Sequence, residues 1–239
     1  LEALGARFRD DHENDLAPGG GALGRLAGVD LTGLPDVLSE VRLTVASDVT
    51  NPLLGEHGAA ATYGPQKGAS PQQVAELDRN LRRYADVLEG TVGQPLRYEP
   101  GTGAAGGAIF GLLAVADRFA ALEVRPGVEV VMELADFDAA VERADLVLTG
   151  EGKVDGQTSF GKTAMGVAER ATANGARTIC FGGGITPDGA EFMHSIGVVT
   201  MPVTERPMTL EEIVSAGTPP IARAAARAAS LVELAGHLG

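Results

Sequence analysis

A chain of 239 residues, 44% of them hydrophobic and 33 of them glycine, can bury a sizeable core in one large or two small domains. The net charge of −13, the 4% aromatic content and the lack of tryptophan argue against nucleic acid or an anionic membrane as a partner. A lone cysteine excludes a disulfide framework. We identify no signal peptide or membrane-spanning run, so a cytoplasmic location is expected.

Short strands and helical turns are predicted over the first third of the chain. The opening residues look like the end of a helix that stops near Gly5, so we expect the chain to begin within a domain. The periodicity predicts strands at 7–9, 29–31 and 41–45 and helical turns at 22–27 and 35–40. The strongest helix pattern covers residues 71–88, where Ser70 is the cap, Pro71 suits the first turn and the apolar residues share one face.

A glycine-rich loop over residues 47–68 follows the third strand. Asp48 and Asn51 come directly after that strand, where α/β sheets bind ligands, and Lys67 lies near the loop's end. These residues are candidates for a functional site. For Asp48 and Asn51 the alternative is ordinary turn chemistry, because Asp and Asn side chains readily bond to their own backbone.

Residues 101–106 spell G-x-G-x-x-G, the dinucleotide-binding pattern. We reject dinucleotide binding, because no buried strand precedes the motif and Pro126 occupies the region where a ribose-binding acid is expected. Gly101 and Gly103 either allow a tightly packed helix to begin near residue 106 or allow the backbone to approach a ligand. Both alternatives stay open.

The second half of the chain alternates strands and helices. Strands are predicted at 128–132, 145–149, 177–181 and 198–201, and helices at 137–143, 161–174, 187–194, 210–216 and 220–238. The three glycines at 182–184 are expected to end the strand before them. The order strand, helix, strand between residues 145 and 181 predicts a right-handed parallel βαβ unit.

A strand that ends at Thr149, a glycine loop and a helix together form an arrangement that directs backbone N–H groups at an anion. Two acids in the loop, Glu151 and Asp155, are candidate Mg²⁺ ligands. The candidate phosphate or nucleotide ligands in this stretch are Gly150, Gly152, Lys153, Gly161, Lys162 and Thr163.

Residues 156–163 also match G-x-x-x-x-G-K-T, the P-loop pattern. A P-loop begins where its strand ends, whereas six residues separate Thr149 from Gly156, so we favour a phosphate-handling loop of another kind. A genuine P-loop and a purely structural turn are the alternatives.

The three lysines of the chain, Lys67, Lys153 and Lys162, all lie in two glycine-rich stretches, 47–70 and 149–163. The remaining cations are arginines, and neither stretch contains one. This distribution indicates sites that need a compact ammonium group on a flexible stem. Solvated surface lysines are the alternative interpretation.

Four stretches in this order resemble the bacterial glycerate kinase type 1 family, namely 47–53, 63–69, 100–107 and 145–168. The resemblance implies two α/β domains with an intervening cleft, of which the C-terminal part is Rossmann-like with parallel strands. Residues 1–135 would be an inserted, incomplete α/β domain and residues 136–239 the C-terminal part of the Rossmann-like domain. The likeness covers the C-terminal two-thirds of the family, without its N-terminal Ser-Phe-Lys-Gly and Gly-Gly-Glu-Gly motifs.

The family implies a phosphotransferase with an alcohol group as acceptor, which transfers the γ-phosphoryl group of ATP to glycerate. We assign Asp48 as general base, Asn51 as the residue that orients it, and Lys67 to phosphate and the substrate carboxylate, with Gly101 and Gly103 beside the substrate. The expected partners are ATP, Mg²⁺ and glycerate, with no nucleic acid and no membrane, and a homodimer is considered. A P-loop-like NTPase and a non-catalytic sugar-acid-binding domain are the alternatives.

Overall fold

A computed structural model of the protein describes residues 1–155 and 163–236. The chain divides into two compact units, Leu1–Arg125 and Pro126–Gly239. The division falls ten residues before the domain boundary predicted between residues 135 and 136. Both units combine helices with parallel strands, which confirms the predicted α/β class.

The first unit contains two small sheets. An antiparallel pair joins β1 and β2, and a parallel pair joins β3 and β4. The strands are β1 (Arg7–Arg9), β2 (Gly28–Asp30), β3 (Arg42–Ala46) and β4 (Ala121–Arg125), and the α-helices are α1 (Ala59–Tyr63), α2 (Pro71–Val92) and α3 (Ala108–Leu113). Short 3₁₀ turns lie at Glu2–Leu4, Ala22–Arg25, Asp36–Glu40, Pro65–Lys67, Ala104–Gly106 and Ala116–Arg118.

Helix α2 is the longest element of this unit, and its sequence explains its bounds. Ser70 and Gln73 form a reciprocal capping box at its start, and Gly93 ends it in the left-handed conformation. Its apolar face buries Leu81, Ala85 and Leu88 in the core of the unit. The predicted helix is therefore confirmed, with one further turn beyond residue 88.

The second unit is a parallel sheet with helices on both faces. Its strand order is β5-β6-β7, and α6 connects β5 to β6 as the predicted βαβ unit requires. The elements are α4 (Gly127–Leu134), α5 (Phe137–Val141), β5 (Leu146–Val154), α6 (Thr163–Ala173), β6 (Arg177–Ile185), α7 (Pro187–Ser195), β7 (Val198–Pro202), α8 (Leu210–Ala216) and α9 (Pro219–Gly236).

Alternation along β6 divides the core of this unit into two layers. Cys180 packs towards α6 and α7 with Met165 and Met193. Ile179 and Phe181 point to the opposite face and pack on α9. Because both faces are covered, the central strand is buried continuously from Thr178 to Gly182, as expected for a parallel sheet between helices.

The strand predicted at 128–132 is wrong. Residues 127–134 form α4, whose Val128 is buried against Gly166 of α6. The true strand is β4, which the sequence analysis missed because Ala121, Leu122, Glu123 and Arg125 all favour helix. Parallel pairing of β4 with β3 overrides that preference, which is weak compared with tertiary contacts.

Two predicted strand ends are also wrong. β5 continues past Thr149 to Val154, and β6 continues through the three glycines to Ile185. The glycines belong to the strands because the two backbones approach very closely, so that a Cβ at Gly183 would lie 2.6 Å from the carbonyl oxygen of Gly152. Gly156 therefore comes two residues after the end of β5. The gap of six residues between the predicted strand end and the P-loop pattern does not exist.

Across residues 1–155 and 163–236, no helix combines the length and apolar character needed to cross a membrane.

Candidate functional site

Two of the predicted site stretches lie in direct contact in the first unit. The backbone N–H of Gly103 donates to the carbonyl oxygen of Asn51 at 2.9 Å, and the N–H of Leu53 donates to Arg97 at 3.0 Å. A Cβ at Gly103 would lie 2.2 Å from the carbonyl oxygen of Pro52. Gly101 has a φ of +84°, and its Cβ would lie 2.9 Å from the carbonyl oxygen of Val49. The two loops, 47–53 and 97–103, are therefore packed against each other, and together they are called the platform.

This contact bears on both interpretations of Gly101 and Gly103. Gly103 is the N-cap of the 3₁₀ turn Ala104–Gly106, and α3 begins at Ala108, close to the helix start expected near residue 106. The close approach is to the chain's own loop 47–53. Both glycines are buried, so their direct contact with a substrate stays a prediction while their packing role is observed.

We expect Gly103→Ala to destabilise the protein, because the added methyl group meets a backbone carbonyl that cannot rotate away. The free energy of unfolding should fall by about 1–3 kcal/mol, as for other overpacked sites, measured from urea unfolding. Gly90→Ala is the matched control, since a Cβ at that helical position meets only open space. It should be neutral or stabilise by up to about 1 kcal/mol. Equal stability of the Gly103 variant and wild type would contradict the close contact.

The side chain of Asn51 is held by three neighbours. Its Nδ2 donates to the carbonyl oxygen of His57 at 2.8 Å and to Oγ1 of Thr62 at 3.2 Å. Its Oδ1 accepts a hydrogen bond from the hydroxyl of Tyr63 at 3.0 Å. Asn51 thus fixes its own loop to α1. The sequence analysis did not identify Tyr63 as a site residue. Tyr63 lies within the stretch 63–69 that resembles the family, but the sequence carries no local signal for this contact.

Lys67 lies on the 3₁₀ turn that follows α1, and its side chain is exposed. It lines a hollow of about 470 Å³ together with Gly21, Gln73 and Glu76. Through α1 and Tyr63 this turn is attached to the Asn51 loop. The structure therefore links Lys67 to Asn51 through α1, whereas the residues that line the hollow do not include Asp48 or Asn51.

Asp48 lies two residues beyond the end of β3, and its side chain is exposed. The turn before it is fixed by the N–H of Ser47, which donates to the carbonyl oxygen of Arg125 at 2.9 Å. The carboxylate is thus carried at the carboxyl end of a parallel pair of strands. That position agrees with the predicted site. The role of Asp48 as a base stays a prediction.

Helix α2 anchors the loops around these residues. A carboxylate oxygen of Asp78 accepts the N–H of Gly55 at 2.9 Å. Asn80 donates from Nδ2 to the carbonyl oxygens of Gly20 and Gly21. Nearer its C-terminus, Glu89 holds the loop that leads to Gly101. One long helix therefore positions the whole set of loops.

The second candidate cluster lies at the carboxyl end of β5. Nζ of Lys153 forms an ion pair with Oδ2 of Asp155 at 2.9 Å. The hydrogen bond that Lys153 donates to Asp155, the charge of Asp155 and the nearby charge of Asp188 hold the pKa of the Lys153 ammonium above its ordinary value. Lys153 is therefore cationic at neutral pH, as a phosphate ligand must be.

Asp188 was missed by sequence reasoning. It lies in the first turn of α7, and the adjacent Gly189 packs so tightly on the backbone of Asp155 that a Cβ there would lie 2.8 Å from its Cα. The N–H of Thr186 donates to the carbonyl oxygen of Val154 at 2.9 Å, which fixes this junction. The rule that ligands bind at the carboxyl ends of strands would have found Asp188 if applied to β6.

Glu151 and Asp155 are less able to share one ion in this extended segment than they would be in a loop. A strand rises about 3.3 Å per residue, so the three steps from Glu151 to Val154 already span about 10 Å, and Asp155 lies one residue beyond the end of β5. Mg²⁺ binds oxygen atoms at about 2.0–2.1 Å and is commonly held by one or two carboxylates together with phosphate oxygens. Among residues 1–155 and 163–236 there is no group of three or more His, Cys, Asp or Glu side chains suited to a metal. Asp188, whose charge acts on Lys153 as that of Asp155 does, is a further candidate ligand for such an ion.

The remaining predicted phosphate ligands fall into two groups. Gly150 and Gly152 lie within β5, not in a loop, and Thr163 is the first residue of α6. Gly161 and Lys162 lie outside the described residues, so their predicted roles stay predictions.

The single cysteine is a core residue, as expected. Cys180 is fully buried, and burial together with the charge of Glu151 raises the pKa of its thiol to about 11. A thiol with that pKa is protonated at neutral pH and is a poor nucleophile.

The fold defines the chain as an α/β protein with parallel sheets and with candidate polar residues at the carboxyl ends of their strands. A sequence model of the glycerate kinase family matches residues 1–233, and the chain belongs to that family. This confirms the resemblance found in the sequence.

Individual relatives agree with the family assignment. The chain is 42% identical to a glycerate kinase of Bacillus subtilis (strain 168) over 197 residues, which are 82% of this chain and 50% of the relative. It is 38% identical to a glycerate 2-kinase of Escherichia coli (strain K12), covering 83% of this chain and 51% of the relative. The crystal structure of a putative glycerate kinase 2 from Salmonella typhimurium LT2 matches with a TM-score of 0.74 and 37% identity, over 100% of this chain and 61% of that chain. The chain spans about half the length of the curated relatives it matches.

Proposed function

We propose that this chain carries part of the active site of a glycerate kinase, which transfers the γ-phosphoryl group of ATP to a hydroxyl group of glycerate. The family match over residues 1–233 is the observation that carries this proposal. The contact between the loops 47–53 and 97–103 supports it, because it gives the polar residues of two sequence motifs a common support.

Asp48 is the general base of the proposed reaction and accepts the proton of the attacking glycerate hydroxyl. Its exposed position at the end of β3 leaves room for a small hydroxy acid. Lys67 provides positive charge for the substrate carboxylate or for phosphate. Asn51, Gly101 and Gly103 position the loop that carries Asp48, since their observed contacts are with the protein itself.

Lys153, with Lys162 beyond the described residues, contacts the phosphate groups of ATP in this proposal. Phosphoryl transfer needs such cations because negative charge spreads over the transferred oxygens. Asp155 and Asp188 would hold Mg²⁺, which neutralises further phosphate charge when bound.

Steady-state measurement of ADP formation by the complete polypeptide, with and without glycerate, tests the proposal. ADP should form only when ATP, Mg²⁺ and glycerate are all present. Hydrolysis of ATP that does not depend on glycerate would favour a P-loop-like NTPase. Calorimetric binding of glycerate without any ADP would favour a non-catalytic sugar-acid-binding domain.

A further inference from the structure

A partly buried ion pair joins the end of α2 to the platform of the candidate site. One oxygen of Glu89, Oε1, accepts the backbone N–H groups of Leu96 and Arg97 at 2.8 and 2.7 Å. The other, Oε2, accepts Nε and Nη2 of Arg97 at 2.8 and 2.5 Å. The side chains are only 11% and 18% exposed. Four donors on one shielded carboxylate make this the most densely bonded ion pair of the first unit.

The same arginine is bonded to the loop that carries Asp48. The carbonyl oxygen of Arg97 accepts the N–H of Leu53, and it also accepts the hydroxyl of Thr102 at 3.3 Å. Thr102 is fully buried and donates at 2.7 Å to the carbonyl oxygen of Glu99 as well. The position of Arg97 thus helps to determine where the loop 97–103 meets Leu53, the last residue of the loop 47–53.

We propose that Glu89 and Arg97 are positioning residues for catalysis, which hold the loop 97–103 against the loop of Asp48 and Asn51. This inference rests on the proposed function for its effect on turnover, but its structural part does not. When a carboxylate accepts two N–H groups of one guanidinium, the orientation of the two side chains is fixed as well as their distance. A neutral hydrogen-bonded pair fixes the orientation less well. A misplacement of about 1 Å at a reacting group can lower the rate by up to 10²-fold.

The charge of Glu89 also links this contact to pH. Burial raises the pKa of its carboxyl group, but the hydrogen bonds from Arg97 and from the backbone outweigh burial and bring the pKa below the usual 4.5. A depressed pKa stabilises the folded state at pH values above 4.5 and ceases to do so as the pH falls through the folded pKa. Acidification below 4.5 should therefore loosen the platform.

Glu89→Gln tests the proposal, because glutamine keeps the shape and one acceptor but removes the charge and turns an NH₂ group towards Arg97. We expect kcat for ADP formation to fall at least about 10-fold, with KM for ATP unchanged. Amide hydrogen exchange should become faster at Leu53 and Gly103, neither of which is bonded to Glu89. Exchange at Leu16, whose N–H donates to Phe8 in the same unit, should stay at the wild-type rate.

Asp86→Asn is the matched control. It removes the half-exposed ion pair between Asp86 and Nη1 of Arg97 and leaves the four bonds of Glu89 intact, so its exchange and turnover should resemble those of wild type. If Glu89→Gln does not fold, Arg97→Lys is measured in its place, since lysine keeps the charge and loses the fork.

Unchanged exchange at Leu53 and Gly103 in a folded variant would overturn the positioning role, and so would unchanged kcat with an active wild type. An inactive wild type would instead contradict the proposed function, and the exchange measurement would still decide the structural claim. A second check is the loss of stability as the pH falls below the usual carboxyl pKa of 4.5, which should be smaller in Glu89→Gln than in wild type.

Discussion

Asp48→Asn should lower kcat for glycerate-dependent ADP formation by about 10²–10⁴-fold, the range that a positioned general base contributes. The substitution keeps the size of the side chain and removes its ability to take a proton. Because Asp48 is exposed, and exposed charged groups contribute about 0–1 kcal/mol, the free energy of unfolding should change by no more than about 1 kcal/mol. KM for glycerate should change little, since the carboxylate acts on the hydroxyl proton in the transition state.

Asp36→Asn is the control for this prediction. Asp36 is also exposed, begins a 3₁₀ turn and lies away from the two loops of the platform. Its replacement should leave kcat and stability at wild-type values. A fully active Asp48→Asn enzyme would show that the proton is taken by another group.

Lys67→Ala should lower kcat/KM for the same reaction by about 10²–10³-fold, the usual cost of removing one charge-stabilising donor. The lysine is exposed on a short turn, so the thermal midpoint should stay within about 2 °C of wild type. Lys67→Arg should restore only part of the activity, because a planar guanidinium does not reproduce the compact ammonium group. Both variants are compared by initial rates at varied glycerate and ATP.

Arg79→Ala provides the comparison for Lys67, since it removes an exposed cation from the same unit, on α2. Its kinetics should match wild type at equal ionic strength. If Arg79→Ala and Lys67→Ala lost activity to the same extent, the effect would be one of general charge and not of a site.

The sequence predicted those elements whose limits depend on local chemistry. Helix α2 was predictable because Ser70, Pro71 and a regular apolar face act within a few residues of one another. Strand β4 was not, because its residues favour helix and only pairing with β3 makes it extended. The glycines of β5 and β6 suggested a loop, since a sequence does not show that two backbones pass too close for a Cβ.

The candidate site also has a part that local chemistry makes predictable and a part that depends on contacts between distant segments. Asp48 and Lys67 stood out by residue type and by position after a strand or within a glycine-rich loop. The bond between Tyr63 and Asn51 and the ion pair of Glu89 and Arg97 depend on how loops meet in space. Side chains that support a site carry ordinary sequence signals, so they become visible only in the structure.

The most direct test of phosphoryl transfer is ³¹P NMR of a reaction that contains the complete polypeptide, ATP, Mg²⁺ and glycerate. We expect a new phosphomonoester signal that couples to the protons of glycerate and grows at the rate at which the γ-phosphate signal of ATP declines. Either ester position would agree with the proposal. Growth of inorganic phosphate alone, or an unchanged ATP spectrum in the presence of glycerate, would contradict it.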